Sequence, residues 1–273
     1  MLLGHEGNKS FDVFDLNSQK LLKVVPTGVS QDGAADAKRN SYYVSGNDPG
    51  RMVIVDAGTL TVTGEVALPA ASDIIGFDPE TGLVHVCNDT AAEQWVIDPA
   101  AKKIVATIAF DGKGVEDLAF DLKNRRLYQA VKGANTIAVV DLANNKVLAA
   151  WPLAPDKGPH GIAFVPETDR LLVACAGKLV LLDCKTGKIV ATASIGGRVD
   201  EMAYDPGLHM AYCASRQGKI SAVTVSADSL TPAGDVPDAT GTGDIAVDPK
   251  THNVWIAWQK DGHCFVQSFT PTK

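Results

Sequence analysis

Aromatic residues are scarce in this chain, only 6% of its 273 positions. A core built from it must therefore rest on Val, Ile, Leu and Ala. Hydrophobic residues at 45% supply enough of them for a sizeable interior. Basic charge is also short: 25 Lys and Arg face 32 Asp and Glu, a net charge of −7. That balance disfavours non-specific binding to nucleic acid or to an anionic membrane surface, and no run of like charge marks a binding tail. No apolar stretch reaches the length of a transmembrane helix. The five cysteines (Cys87, Cys175, Cys184, Cys213, Cys264) form no Cys-x-x-Cys pair, which speaks against a zinc ribbon or a thioredoxin-like site. Their odd number argues against a complete disulfide framework, and they read as buried, unpaired small hydrophobes. Catalytic signatures are missing too. There is no Gly-x-Ser-x-Gly elbow, no P-loop and no Rossmann fingerprint after a strand.

What the chain has in abundance is repetition. "LVHVCNDTAAEQWVIDPAAKKIVATIAF" (83–110) is nearly restated by "RLLVACAGKLVLLDCKTGKIVATASI" (170–195). A full unit has four apolar runs. The first is "DIIGFDP", "EDLAFD", "HGIAFVP", "DEMAYDP" or "GDIAVDP", and its marker residues Phe77, Phe120, Phe164, Tyr204 and Val247 recur at steps of 43, 44, 40 and 43. An earlier copy begins at "GAADAK" (33–38). Short runs separated by polar turns, with little helical periodicity, predict four-stranded antiparallel blades. Five units are complete. The N-terminus supplies strands two to four of another and the C-terminus strands one to three of a last one. The prediction is a single all-β domain over 1–273, a seven-bladed β-propeller with incomplete first and last blades.

The turns carry their own chemistry. Asp15, Asp56, Asp98, Asp141 and Asp183 each close a third strand, and Asp78, Asp121, Asp205 and Asp248 each close a first strand. A short carboxylate there accepts N–H groups of the reversing chain. These nine aspartates are assigned to structure. Val105 and Leu181 are expected to be buried strand residues, and Trp95, Trp151 and Trp255 to pack blade against blade.

The segments "MVIVDAGTL", "QWVIDPAAKKIVATI", "TIAVVDLANNKVLAAWPLA", "LVLLDCKTGKIVATASIG" and "IAVDPKTHNVWIA" resemble the YncE-like, YVTN-repeat β-propellers of bacteria across essentially the whole chain. The resemblance implies the propeller fold and a secreted or periplasmic protein with its leader removed. If Met1 is the natural start, the location is cytoplasmic. The opening "MLLGHEGNKSFDVFDL" has no basic segment followed by an apolar one. Propellers of this kind are associated with small-ligand or nucleic-acid binding. Related ones include subunits of amine dehydrogenases, and lactonases and lyases with metal in the channel. The motif residues themselves belong to core and turns, so no site transfers by motif.

Function in such a fold is sought where first strands begin, around the mouth of the central channel. In one register these positions read Asp32, Asp73, Glu116, His160, Asp200 and Gly243. Converging carboxylates raise one another's pKa or recruit a cation. Asp32, Asp73, Glu116, His160 and Asp200 are thus the candidate ligands for a divalent metal: Ca, Mg, Mn or Zn. Without a metal, His160 with Glu116 or Asp200 is a candidate general acid–base pair. The competing reading has the acids accepting backbone N–H groups of adjacent blades and stapling them together. The ends of the second strands add His5 or Glu6, Asn47, Asn88, Lys132, Arg216 and Gln259, with Lys132 and Arg216 suited to an anionic group. Trp258 is a candidate for ligand stacking. Two functions stay open. One is a scaffold binding a small molecule or protein at the channel mouth, expected as a monomer without nucleic acid or membrane. The other is a hydrolase- or lyase-type enzyme using a divalent metal or the His–carboxylate pair.

Overall fold

The computed structural model describes residues 1–237, 240–261 and 263–271. Its strands form seven antiparallel sheets, each a simple meander with neighbours in chain order. Blade 1 holds β1 (Leu2–His5), β2 (Ser10–Asp15) and β3 (Lys20–Val25). Blade 2 holds β4 (Ser30–Asp36), β5 (Ser41–Asn47), β6 (Gly50–Asp56) and β7 (Thr61–Ala67). Blade 3 holds β8 (Ser72–Asp78), β9 (Leu83–Asn88), β10 (Glu93–Asp98) and β11 (Lys103–Ala109). Blade 4 holds β12 (Val115–Asp121), β13 (Arg126–Val131), β14 (Thr136–Asp141) and β15 (Lys146–Pro152). Blade 5 holds β16 (Ile162–Val165), β17 (Arg170–Cys175), β18 (Lys178–Asp183) and β19 (Ile189–Ser194). Blade 6 holds β20 (Val199–Asp205), β21 (Met210–Ser215), β22 (Lys219–Val225) and β23 (Leu230–Pro237). Blade 7 holds β24 (Asp244–Val247), β25 (Val254–Lys260) and β26 (His263–Phe269). The predicted seven blades are there, the first and last with three strands each. The one helical element described is a 3₁₀ turn, Lys132–Ala134. No described helix is long and apolar enough to cross a membrane.

The chain packs as two compact units whose boundary runs through the strands of blade 4. Unit 1 comprises Met1–Glu116, Leu122–Arg126 and Val140–Val147. Unit 2 comprises Asp117–Asp121, Leu127–Val139 and Leu148–Lys273. In unit 1, Tyr43, Met52, Val84, Val86, Trp95 and Ile97 form one apolar cluster. In unit 2, Leu172, Leu179, Leu181, Val199, Cys213 and Val223 form another. Second-strand tyrosines fill the gap to the next blade: Tyr43 meets Phe77 at 5.6 Å and Tyr128 meets Phe164 at 6.0 Å between ring centroids. Each pair joins a second strand to the first strand of the next blade. Trp95 and Trp255 are buried, and Trp151 packs on Tyr128 at 5.6 Å.

Leu181 is fully buried, as expected. Val105 is not: it is 44% exposed. It lies on the fourth strand β11, where inward and outward residues alternate and only Ile108 is fully covered. An apolar run on an outermost strand does not reveal which face meets the core, because both faces read alike.

The turn aspartates act as anticipated. Asp15 accepts the Ser18 N–H at 2.7 Å, Asp56 the Thr59 N–H at 2.7 Å, Asp98 the Ala100 N–H at 2.9 Å, Asp141 the Ala143 N–H at 2.8 Å and Asp183 the Thr186 N–H at 2.9 Å. At the ends of the first strands the carboxylates also tie blade to blade. Buried Asp78 pairs with Arg125 of the following blade at 2.7 Å, and buried Asp205 meets His252 Nδ1 of the following blade at 2.8 Å. Burial raises the Asp78 carboxyl, but Arg125 and the Thr81 hydroxyl outweigh it and hold the group below its ordinary value.

Candidate functional site

Three of the first strands, β4, β8 and β20, begin with a bulge. Pairing of β4 with β5 jumps from Ser30↔Gly46 to Gly33↔Val44. That of β8 with β9 jumps from Ser72↔Asn88 to Ile75↔Val86, and that of β20 with β21 from Val199↔Ser215 to Met202↔Cys213. Two residues in each of these three strands are thereby lifted out of the ladder and re-aimed. Carboxylates near the starts of first strands accept N–H groups of the next blade. Asp32 Oδ2 accepts the Ile75 N–H at 3.1 Å, Asp117 Oδ2 accepts the Ile162 N–H at 2.8 Å, and Glu201 Oε2 accepts the Ile245 N–H at 3.3 Å. Each bond joins a blade to the next: second to third, fourth to fifth, sixth to seventh.

These staples correct the register read from sequence. Gly33, Ile75, Ile162, Met202 and Ile245 hold equivalent pairings. Asp32 therefore aligns with Ile74, Gly161, Glu201 and Asp244, one position beyond Asp73, His160 and Asp200. Asp32 is a stapling carboxylate, its second oxygen accepting the Gly33 N–H at 2.6 Å. Burial pushes its carboxyl from 3.8 up to about 6, against the pull of these two donors. The staples at Asp117 and Glu201 were not singled out from sequence. Their one sequence signal is an acid 44 or 45 residues before an isoleucine of the next first strand.

In unit 1, Asp73 and Glu116 occupy the second positions of β8 and β12, both half-buried. The Glu116 carbonyl accepts the Cys87 thiol at 3.4 Å. Asn88 is buried and serves its own loop: its Oδ1 takes the Thr90 N–H at 2.8 Å and its Nδ2 donates to Glu93 at 2.9 Å. Asn47 pairs with Gly50 at the end of β5. His5 Nδ1 lies 3.2 Å from Asp12, and Glu6 accepts the Gln31 amide at 2.5 Å.

Unit 2 gathers the rest. Lys132 opens the turn after β13, His160 precedes β16, Asp200 lies on the bulge of β20, and Arg216 follows β21. Lys132 Nζ donates to His160 Nε2 at 2.8 Å, which places the imidazole proton on Nδ1 in that contact. The same Nε2 is 3.6 Å from Asp200 Oδ1. Arg216 Nε donates to Asp200 Oδ2 at 2.8 Å, and its terminal Nη2 closes on the same oxygen. These four line a pocket of about 380 Å³ together with Gly158, Cys175, Ala176, Arg198 and Val199. Two glycines make room. A Cβ on Gly161 would stand 2.7 Å from the Met202 nitrogen, and one on Gly243 would stand 2.7 Å from Asp200 Oδ2. The Cys175 thiol is buried and pushed up to about 12, chiefly by burial, so no thiolate nucleophile faces His160. Arg198 was missed in sequence because it stands in the loop before β20, outside any strand register.

Among the described residues, no three His, Cys, Asp or Glu side chains lie close enough together to hold a metal ion. Trp258 stacks on Phe265 at 5.5 Å and 17°, within blade 7. Gln259 is exposed on β25.

Seven meandering antiparallel sheets define the class: this is a seven-bladed β-propeller. The chain is 26% identical over 193 residues, 68% of its length, to the uncharacterized protein YncE of Escherichia coli O157:H7. It spans about half of that relative, 52%. No protein-family model matches. Among solved structures, a chain of hydrazine synthase from Kuenenia stuttgartiensis superposes with a TM-score of 0.86 at 14% identity, over 98% of this chain and 92% of that one. The WD40 repeats of RRP9 superpose with a TM-score of 0.80 at 12% identity, over 94% and 83%. At those identities the likeness is one of fold. The YncE-like resemblance and the blade architecture agree.

Proposed function

We propose that the protein is a ligand-binding scaffold and that its binding centre is the pocket of unit 2 lined by Lys132, His160, Arg198, Asp200 and Arg216. The observation that supports this most is one of allocation. The third-strand aspartates bind turn N–H groups, Asp32, Asp117 and Glu201 bind blade N–H groups, and Asp78 and Asp205 bind a basic side chain of the next blade. The charged side chains around His160 instead contact one another, and together they line a cavity. A recess of this size with a few convergent polar groups suits a small molecule. Thermal-shift screening of a small-metabolite panel tests the reading. Stabilising compounds are expected, and their effect should vanish in Arg216→Ala. Stabilisation that survives the substitution places binding elsewhere.

The second reading is catalysis by the His160–Asp200 pair, favoured by their 3.6 Å separation beside Lys132. An imidazole between a carboxylate and an ammonium can take up and return a proton. Elemental mass spectrometry on wild type and His160→Ala separates the variants of this reading. One equivalent of metal lost with His160 brings the metal enzyme forward, and metal-free protein leaves the His–carboxylate pair. The family resemblance supports a periplasmic protein, and a monomer is the proposed state; fractionation and light scattering test both points.

A further inference from the structure

The charges around His160 specify what the pocket takes. Lys132, Arg198 and Arg216 bring three fixed positive charges and Asp200 one negative charge, while the rest of the chain carries a net excess of acid. Among the lining residues the surplus is two positive charges in a protein of net −7, and the carboxylates of Asp244 and Glu201 stand near enough to act on Arg216 from outside the lining. Arg216 and Lys132 are engaged with Asp200 and His160. Arg198 is exposed, and its guanidinium has no partner among the described residues. Its backbone carbonyl accepts the Arg216 N–H at 3.1 Å, which holds the two arginine side chains on one loop pair.

We infer that this pocket binds a small molecule through a doubly charged phosphate group, with Arg198 and Arg216 as its guanidinium clamp and Lys132 as its point charge. The inference rests on the binding-centre reading above and adds the ligand class. Planar guanidinium forks match phosphate oxygens two at a time, and an ammonium adds undirected charge. The dianion matches the surplus charge of the lining. Asp200 is the built-in competitor: it occupies Arg216 until phosphate takes over one of its bonds, and its repulsion keeps weaker monoanions out. Gly243 leaves the space beside Asp200 Oδ2 and Arg216 that this exchange needs. A recess of about 380 Å³ suits a phosphate monoester of a few carbons. An extended polyanion would meet the acidic surface outside it.

The test follows the ¹H–¹⁵N signals of the His160 imidazole in the intact protein. It titrates inorganic phosphate, propyl phosphate, succinate and 1-propanol, with wild type and Arg198→Gln compared. Arg198 has no internal bond to lose, so Arg198→Gln probes the clamp without disturbing the Lys132–His160 or Arg216–Asp200 contacts. Saturable shifts are expected with the two phosphates, weakening about tenfold in Arg198→Gln and falling with added salt. Succinate should bind more weakly than propyl phosphate, and propanol not at all. Succinate matching propyl phosphate would overturn the phosphate assignment, as would unchanged phosphate affinity in Arg198→Gln. If phosphates leave the His160 signals still while an uncharged compound of the thermal-shift panel moves them, the ligand class falls and the binding centre stands. If no compound moves them, both fall.

Discussion

Asp32 shows how one carboxyl can serve the fold and carry a cost for it. Its two oxygens accept the N–H groups of Gly33 and Ile75, yet burial still lifts it from 3.8 to about 6. The folded state therefore holds this proton more tightly than the unfolded chain. Its contribution to stability is complete below about pH 4 and is lost as pH rises through 6. The turn carboxylates Asp15, Asp56 and Asp183 are held low by turn N–H and hydroxyl donors, so they act in the opposite sense and at lower pH. Urea unfolding between pH 4 and 7 should show a fall in stability that Asp32→Asn removes. A wild-type profile flat across that window would contradict the assignment. Position on a strand matters just as sharply for apolar residues. Leu181→Asp buries an unpaired charge and should abolish soluble expression. Val105→Asp, on an exposed face, should stay soluble and shift stability by no more than about 1 kcal/mol.

At the level of strands and turns, chemistry that repeats with the blade was legible and chemistry that departs from it was not. The third-strand aspartates recur with the period and keep the same N–H partners in the structure. The bulges at the start of β4, β8 and β20 leave no such mark, because two re-aimed residues do not alter the spacing between repeats. Spacing alone therefore groups Asp32 with Asp73, His160 and Asp200, although it stands one place further along and serves as a staple. The turn ends hide likewise. Gln19, Leu60, Lys102 and Asn145 all adopt a φ of 52–56° before the fourth strand, and only the asparagine advertises it. The staples make a direct prediction. Removing the Asp117 carboxylate leaves the Ile162 N–H without its partner, so Asp117→Ala should lower stability by about 1–3 kcal/mol. An unchanged urea midpoint would show that the bond adds nothing.

For the whole molecule, regularity and exception have different jobs. Seven sheets built from one repeated sentence supply a frame, and within it the two units each bury apolar clusters made mostly of aliphatic side chains. The candidate site is where neighbouring blades stop repeating one another: Lys132, His160, Arg198 and Arg216 occupy positions filled differently elsewhere, and Asp200, which shares its position with Asp73, meets them there. His160, Asp200, Lys132 and Arg216 could be picked from sequence because they stand at strand ends. The His160–Asp200 pairing is one the sequence offers beside His160–Glu116, and the choice between them depends on side chains crossing between blades. The acidic balance of the chain carries a prediction of its own. Single-stranded DNA titrated at two salt concentrations should show no salt-dependent binding.

The central claim is that this pocket is where the protein binds. The most direct measurement is a crystal structure of the protein grown with propyl phosphate at a few times its measured dissociation constant. The account predicts the phosphate between Arg198, Arg216 and Lys132, with Asp200 turned from Arg216. An empty pocket with the compound ordered elsewhere would contradict it.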